Sequence, residues 1–143
     1  MHFKCEAQRL HQVIAVALML LGILSFLPLV SEGGGARLIE VTADRDNRFK
    51  VPGQKKPVIT VKANEVIRLR ITSRPGSEWD KDGAVHSFSI TALKDQGWDL
   101  RLKEGTQEFT LVAPAEPGEY VVECAVMCGK GHTEMKMKLV VTP

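Results

Sequence analysis

Apolar and polar residues alternate along most of the chain with the period of β-strands. Segments LIEVTA (38–43), VITVKA (58–63), VIRLRITS (66–73), HSFSITAL (86–93), EFTLVA (108–113), YVVECAV (120–126) and KMKLVV (136–141) show period-two patterning or β-branched enrichment. In VIRLRITS, Ile67, Leu69 and Ile71 fall on one face; Val66, Arg68, Arg70 and Thr72 fall on the other. Pro52-Gly53, Pro75-Gly76, Gly105 and the stretch from Pro114 to Gly118 separate the segments. No stretch after residue 31 has helical length and period. Short strands of this number predict an all-β two-sheet sandwich or Greek-key barrel.

One segment breaks the pattern. Val13–Val30 is a continuous uncharged run bounded by Gln12 and Ser31. A helix of that length spans about 30 Å, the thickness of a bilayer's hydrocarbon core. A cleaved secretory signal is the alternative, but LVSEGGG offers no small-x-small cleavage site. Lys4 and Arg9 stand before the run against Glu6, a weak positive-inside signal. The expected organisation is a cytoplasmic tip (1–12), a transmembrane helix (13–31), a glycine-rich tether (32–36) and one exported domain (37–143). That places a single-pass protein in the inner (plasma) membrane, amino terminus cytoplasmic and domain periplasmic or extracytoplasmic.

The chain's 143 residues and 15.8 kDa leave room for little beyond one such domain. Charged residues make up 25% and the net charge is +2, which excludes a disordered tail and a strongly basic nucleic-acid arm. Aromatics at 6% argue against a stacking surface for nucleic acid. Three cysteines are too few for a disulfide scaffold. Cys5 precedes the apolar run and reads as an ordinary cytoplasmic thiol.

The chemistry concentrates near the carboxyl end, in ECAVMCGKGHTEM. Cys124, Cys128, His132 and Met135 fall on the loop between the last two predicted strands, and His86 opens an earlier strand. Thiolate, imidazole and thioether together form the ligand set of copper held for electron transfer. Gly129 and Gly131 allow the tight loop that convergence requires. Cys124 and Cys128 as a disulfide would leave His132 and Met135 unexplained. Tetrahedral zinc on Cys124, Cys128, His86 and His132 would leave Met135 idle. An ordinary blue site needs one Cys, two His and an axial Met; the second Cys opens a dinuclear arrangement in which two thiolates bridge two copper ions.

The pattern C-x3-C-x3-H-x2-M, with an upstream His opening HSF, resembles the dinuclear CuA centre of cytochrome c oxidase subunit II. The resemblance covers most of residues 57–143. It implies a cupredoxin-like Greek-key sandwich and two copper ions. His86 and His132 would be terminal ligands, Cys124 and Cys128 bridging thiolates, Met135 the weak axial ligand and Val126 the main-chain carbonyl donor. The common subunit has Glu at the position of Val126, where its carboxylate reaches magnesium, so no magnesium ligand is expected here. One membrane helix and the lack of a Trp-Tyr-rich stretch make the chain more like the compact subunit II of B-type haem-copper oxidases.

The resemblance further implies a non-catalytic subunit of an oxidase. It would accept electrons from cytochrome c or a similar extracytoplasmic donor and pass them to haem in subunit I, with membrane lipid as its other neighbour. Glu123 and Glu134 flank ligands without an expected catalytic role. Trp79, Asp80 and Asp82, in the polar loop before His86, are the expected electron-input surface, and Trp98 reads as packing or a second surface aromatic. The CuA-bearing subunit of a nitric oxide reductase would look almost the same, and a membrane-anchored copper-binding or chaperone protein is the alternative of another class.

Overall fold

The computed structural model describes residues 35–143. The predicted membrane helix over 13–31 and Cys5 lie outside these residues. Among the described residues no helix is long and apolar enough to cross a membrane.

Nine strands form the domain: β1 (Arg37–Asp44), β2 (Arg48–Lys50), β3 (Val58–Lys62), β4 (Val66–Ser73), β5 (His86–Ser89), β6 (Asp99–Leu102), β7 (Gly105–Val112), β8 (Gly118–Glu123) and β9 (Lys136–Thr142). They build a four-stranded sheet ordered β2-β1-β4-β7 and a five-stranded sheet ordered β3-β9-β8-β5-β6. The chain passes repeatedly from one sheet to the other. As a result β1 pairs parallel with β4 and β3 parallel with β9, while the other pairings are antiparallel. The all-β Greek-key sandwich expected from the patterning is the fold observed.

The core follows from the alternation. Ile67, Leu69 and Ile71 of β4 are fully buried, and the opposite face of the strand carries Arg68 and Arg70 toward Glu108 and Glu40. Val61, Leu139, Val141 and Val122 supply the second sheet's inner face. Full burial of each such aliphatic side chain contributes about 1.5–3 kcal/mol, whereas the exposed ion-pair ladder contributes little by comparison. Phe49 packs edge-on against Phe88, centroids 5.5 Å apart, and ties the short β2 to the core strand β5.

Two differences from the predicted strands bear on the site. The segment 86–93 stops as a strand at Ser89 and continues as a 3-10 turn over Thr91–Gln96, ended by Gly97 at φ 90°. The segment 120–126 lies earlier, as β8, and releases Cys124, Ala125 and Val126 into the loop before β9. Trp98 is 1% exposed and its Nε1–H donates to the Val112 carbonyl at 3.1 Å, so it is core.

Candidate metal centre

The loop between β8 and β9 is closed at its base by the Cys124 N–H, which donates to the Met135 carbonyl at 3.1 Å. Inside it, Gly129 and Gly131 take φ values of 110° and 91°, where side chains are strained. A Cβ on Gly129 would run into the Ser77 hydroxyl. The loop then turns through His132–Glu134, with the His132 N–H donating to the Gly129 carbonyl at 3.1 Å and the Met135 N–H to the His132 carbonyl at 3.0 Å. This geometry brings residues spaced along the loop to one point.

At that point the two sulfurs lie 3.8 Å apart, both cysteines free and buried. A nitrogen of His86 joins them, and the three donor atoms all lie within 4.8 Å of one another. His86 arrives from the start of β5, the strand beside β8 in the same sheet. The remaining predicted positions surround this group. His132 Nδ1 is 3.7 Å and Met135 Sδ 4.0 Å from Cys128 Sγ, and the Val126 carbonyl accepts from Cys124 Sγ at 3.2 Å. His132 is half-buried; Met135 and Val126 are buried.

The expected pair of copper ions is corrected by this arrangement. Among the described residues one three-donor group, His86, Cys124 and Cys128, is present, consistent with a mononuclear copper site. The second imidazole and the thioether both lie within 4.0 Å of the Cys128 sulfur, and His132 stands outside the mutual 4.8 Å set. They therefore add to one group and do not close a separate one around Cys124. A shared dinuclear centre would need an imidazole on each side of the sulfur pair.

The electrostatics of the group suit a soft cation. His86 Nε2–H donates to the Arg74 carbonyl at 2.8 Å, and burial holds the imidazole below its ordinary range. That leaves Nδ1 as the lone-pair nitrogen, buried and without a partner. An unpaired buried acceptor costs about 1–3 kcal/mol, which a metal bond would offset. Burial, with the Cys124 thiol beside it, pushes the Cys128 thiol up to about 12. Without a cation the sulfur keeps its proton; a bound metal would displace it. The donor set and the orphaned nitrogen fit a copper ion.

Two supporting residues carry no signal as site residues in the sequence. Ser87 N–H donates to Cys124 Sγ at 3.3 Å, and its hydroxyl accepts from the Ala125 N–H at 2.7 Å. The cue available was an adjacent pair, His86 and Ser87, both polar in a strand that proves wholly buried. Asn47, from the turn between β1 and β2, donates its amide to the Lys130 carbonyl at 2.8 Å.

The loop before His86 holds the predicted electron-input residues. Trp79 is 64% exposed and Met127, one residue before Cys128, is 60% exposed. The acids are not free: Arg101 of β6 bonds Asp80 at 2.6 Å and Asp82 at 2.7 Å, which lowers both carboxyls, Asp82 to about 2.

Neither a protein-family model nor a curated protein matches the chain. Solved structures do. A chain of a heme-copper terminal oxidase dimer, determined by cryo-EM, is 16% identical with a TM-score of 0.54, covering 96% of this chain and 99% of that one. The periplasmic domain of subunit II of cytochrome oxidase from Bradyrhizobium japonicum is 19% identical with a TM-score of 0.53, covering 74% and 83%. The multicopper oxidase Fet3p is 15% identical with a TM-score of 0.51, covering 76% of this chain and 23% of that one. At these identities the likeness establishes the fold, which is cupredoxin-like.

Proposed function

We propose that this chain is a copper-binding electron-transfer protein that holds one copper ion among His86, Cys124 and Cys128, with His132 and Met135 beside Cys128. The observation that carries the reading is the buried three-donor group with its unpartnered imidazole nitrogen. Copper held there would supply a one-electron couple at a site shielded from water. The chain's own residues prepare the site. The Arg74 carbonyl fixes the His86 tautomer, the Ser87 N–H donates to the Cys124 sulfur, and the closed loop restricts movement of the donors. Small movement between oxidation states means fast transfer. The Met135 thioether favours copper over zinc, which would leave it idle.

The finer role we propose is that of a subunit passing electrons to haem in the subunit I of a terminal haem-copper oxidase. The donor would be cytochrome c or a similar extracytoplasmic protein. The C-x3-C-x3-H-x2-M spacing and the uncharged run Val13–Val30 support it, the latter as the anchor of a domain over 37–143 outside the cytoplasm. Similarity in fold to a chain of a heme-copper terminal oxidase dimer is in keeping with it. Electrons would enter where exposed Trp79 and Met127 flank the site. Ser77, two residues before Trp79, packs on Gly129, two residues after Met127.

A copper-delivery role is the second reading, and exposed Met127 favours it, since a thioether beside a buried thiol offers a landing point for Cu(I). Stopped-flow mixing with reduced cytochrome c and with a copper-accepting chelator separates the two. Relay predicts rapid one-electron reduction with copper retained; delivery predicts copper loss and slow reduction.

A further inference from the structure

Asn47 ends the turn between β1 and β2 at φ 54°, with its N–H donating to the Asp44 carbonyl at 2.9 Å. Left-handed backbone is tolerated by Asn, and Gly would serve such a turn equally well. Yet the Asn47 side chain is not left in water: the residue is 3% exposed. Burying a primary amide is costly unless it is paired. Its Nδ2–H donates to the Lys130 carbonyl at 2.8 Å, while Oδ1 is buried without a partner. The reversed amide would set two acceptors against each other, so Nδ2 is the atom that faces the loop. A turn that needed only its backbone shape would have no use for a half-satisfied buried amide.

Three segments meet at this side chain. A Cβ on Gly76, in the loop after β4, would run into both the Cys128 carbonyl oxygen and Asn47 Oδ1. A Cβ on Gly131 would touch Asn47 Cβ at 3.9 Å. Among the described residues, Asn47 makes the one side-chain hydrogen bond to the main chain of 128–131. That stretch runs from one donor, Cys128, almost to another, His132.

We propose that Asn47 is a positioning residue of the metal site: its amide clamps the Lys130 carbonyl and so sets where Cys128 and His132 stand. The inference deepens the copper reading and rests on it for its functional meaning. The clamp acts from the opposite sheet, so it also joins the two halves of the sandwich at the donor end.

The test uses the full chain loaded with copper, as wild type, Asn47→Gly and Asn47→Asp. Glycine keeps the left-handed turn and deletes the amide; aspartate keeps the shape but turns an acceptor toward the Lys130 carbonyl. Both variants should release copper to excess chelator about tenfold faster, the equivalent of one buried hydrogen bond. Their sulfur-to-copper absorption band should also shift. Unchanged release and an unchanged band, with or without a lower metal-free Tm, would overturn the proposal and leave Asn47 a structural turn residue.

If the wild type takes up no copper, the copper reading fails, and amide hydrogen exchange of the metal-free chain decides the clamp separately. Faster exchange confined to 129–135 in Asn47→Gly supports it. Unchanged exchange, or a rise spread over both sheets, overturns it.

Discussion

The Nε2–H of His86 donates to the main-chain carbonyl of Arg74 at 2.8 Å, and this bond leaves Nδ1 as the nitrogen available to a metal. The acceptor belongs to the backbone at the end of β4, where the Arg74 N–H also donates to the Ala43 carbonyl at 2.9 Å. The tautomer is thus set by the fold and cannot be altered by changing a side chain. His86→Ala should cost the chain at least about 100-fold in copper affinity, more than loss of an outer partner of a ligand. Copper titration followed by absorption spectroscopy checks it; retained affinity would remove His86 from the site.

Gly76→Ala should damage the metal loop while sparing the sheets. The added methyl meets the Cys128 carbonyl and Asn47, both backed by packed structure. Overpacking of this kind costs about 1–3 kcal/mol. Circular dichroism should retain the β signature while copper release to a chelator accelerates. A variant that matches wild type in copper release would show that the contact relaxes without moving Cys128.

The domain's acid stability depends on Asp44. A hydrogen bond from Lys50 at 2.6 Å, with the Arg45 N–H, brings its carboxyl from 3.8 down to about 2. Since the folded-state value is depressed, the stabilisation is present at neutral pH and is lost as pH falls through about 4 to 2. Asp44→Asn should lower Tm at pH 7 by a few degrees, about 1 kcal/mol after discounting for water around Lys50. The difference should vanish near pH 2, as thermal melts of both proteins across that window would reveal.

Trp79→Ala should slow reduction by a protein donor without altering copper content or spectrum, because the residue is 64% exposed and is not one of the donors. A loss of about 1–3 kcal/mol in encounter stability, roughly 5- to 150-fold in the second-order rate, is what an aromatic contact at an interface carries. Stopped-flow rates for wild type and variant measure it. Arg101→Gln should change the salt dependence of that rate, since it frees Asp80 and Asp82 from their partner.

Much of this architecture was legible in the chain itself, for stated reasons. The seven segments with strand patterning all hold strands, because Ile67, Leu69 and Ile71, and their counterparts elsewhere, must leave water on one face. The two strands without a signal, Arg48–Lys50 and Asp99–Leu102, are three and four residues long and stand alone, with no patterned residues continuing them. The patterned segment from His86 runs four residues past the strand because Ile90 and Ala92 continue the alternation, while the left-handed Gly97 that closes the 3-10 turn acts only through the folded backbone.

At the site, the sequence displayed the donors but not their grouping. Two cysteines, two histidines and a methionine suggested two ions, yet proximity along the loop does not say which donors share a point. In the fold, His132 and Met135 both approach Cys128. Ser87 and Asn47 carry no sequence signal for the same reason: each acts on residues far along the chain, and neither is a residue type that signals a metal.

Copper stoichiometry with electron paramagnetic resonance of the loaded full chain tests the central claim most directly. One copper per chain with a four-line hyperfine pattern, lost in Cys128→Ser, is the result expected of a single site at His86, Cys124 and Cys128. No copper uptake, or two coppers per chain sharing one electron, would contradict it.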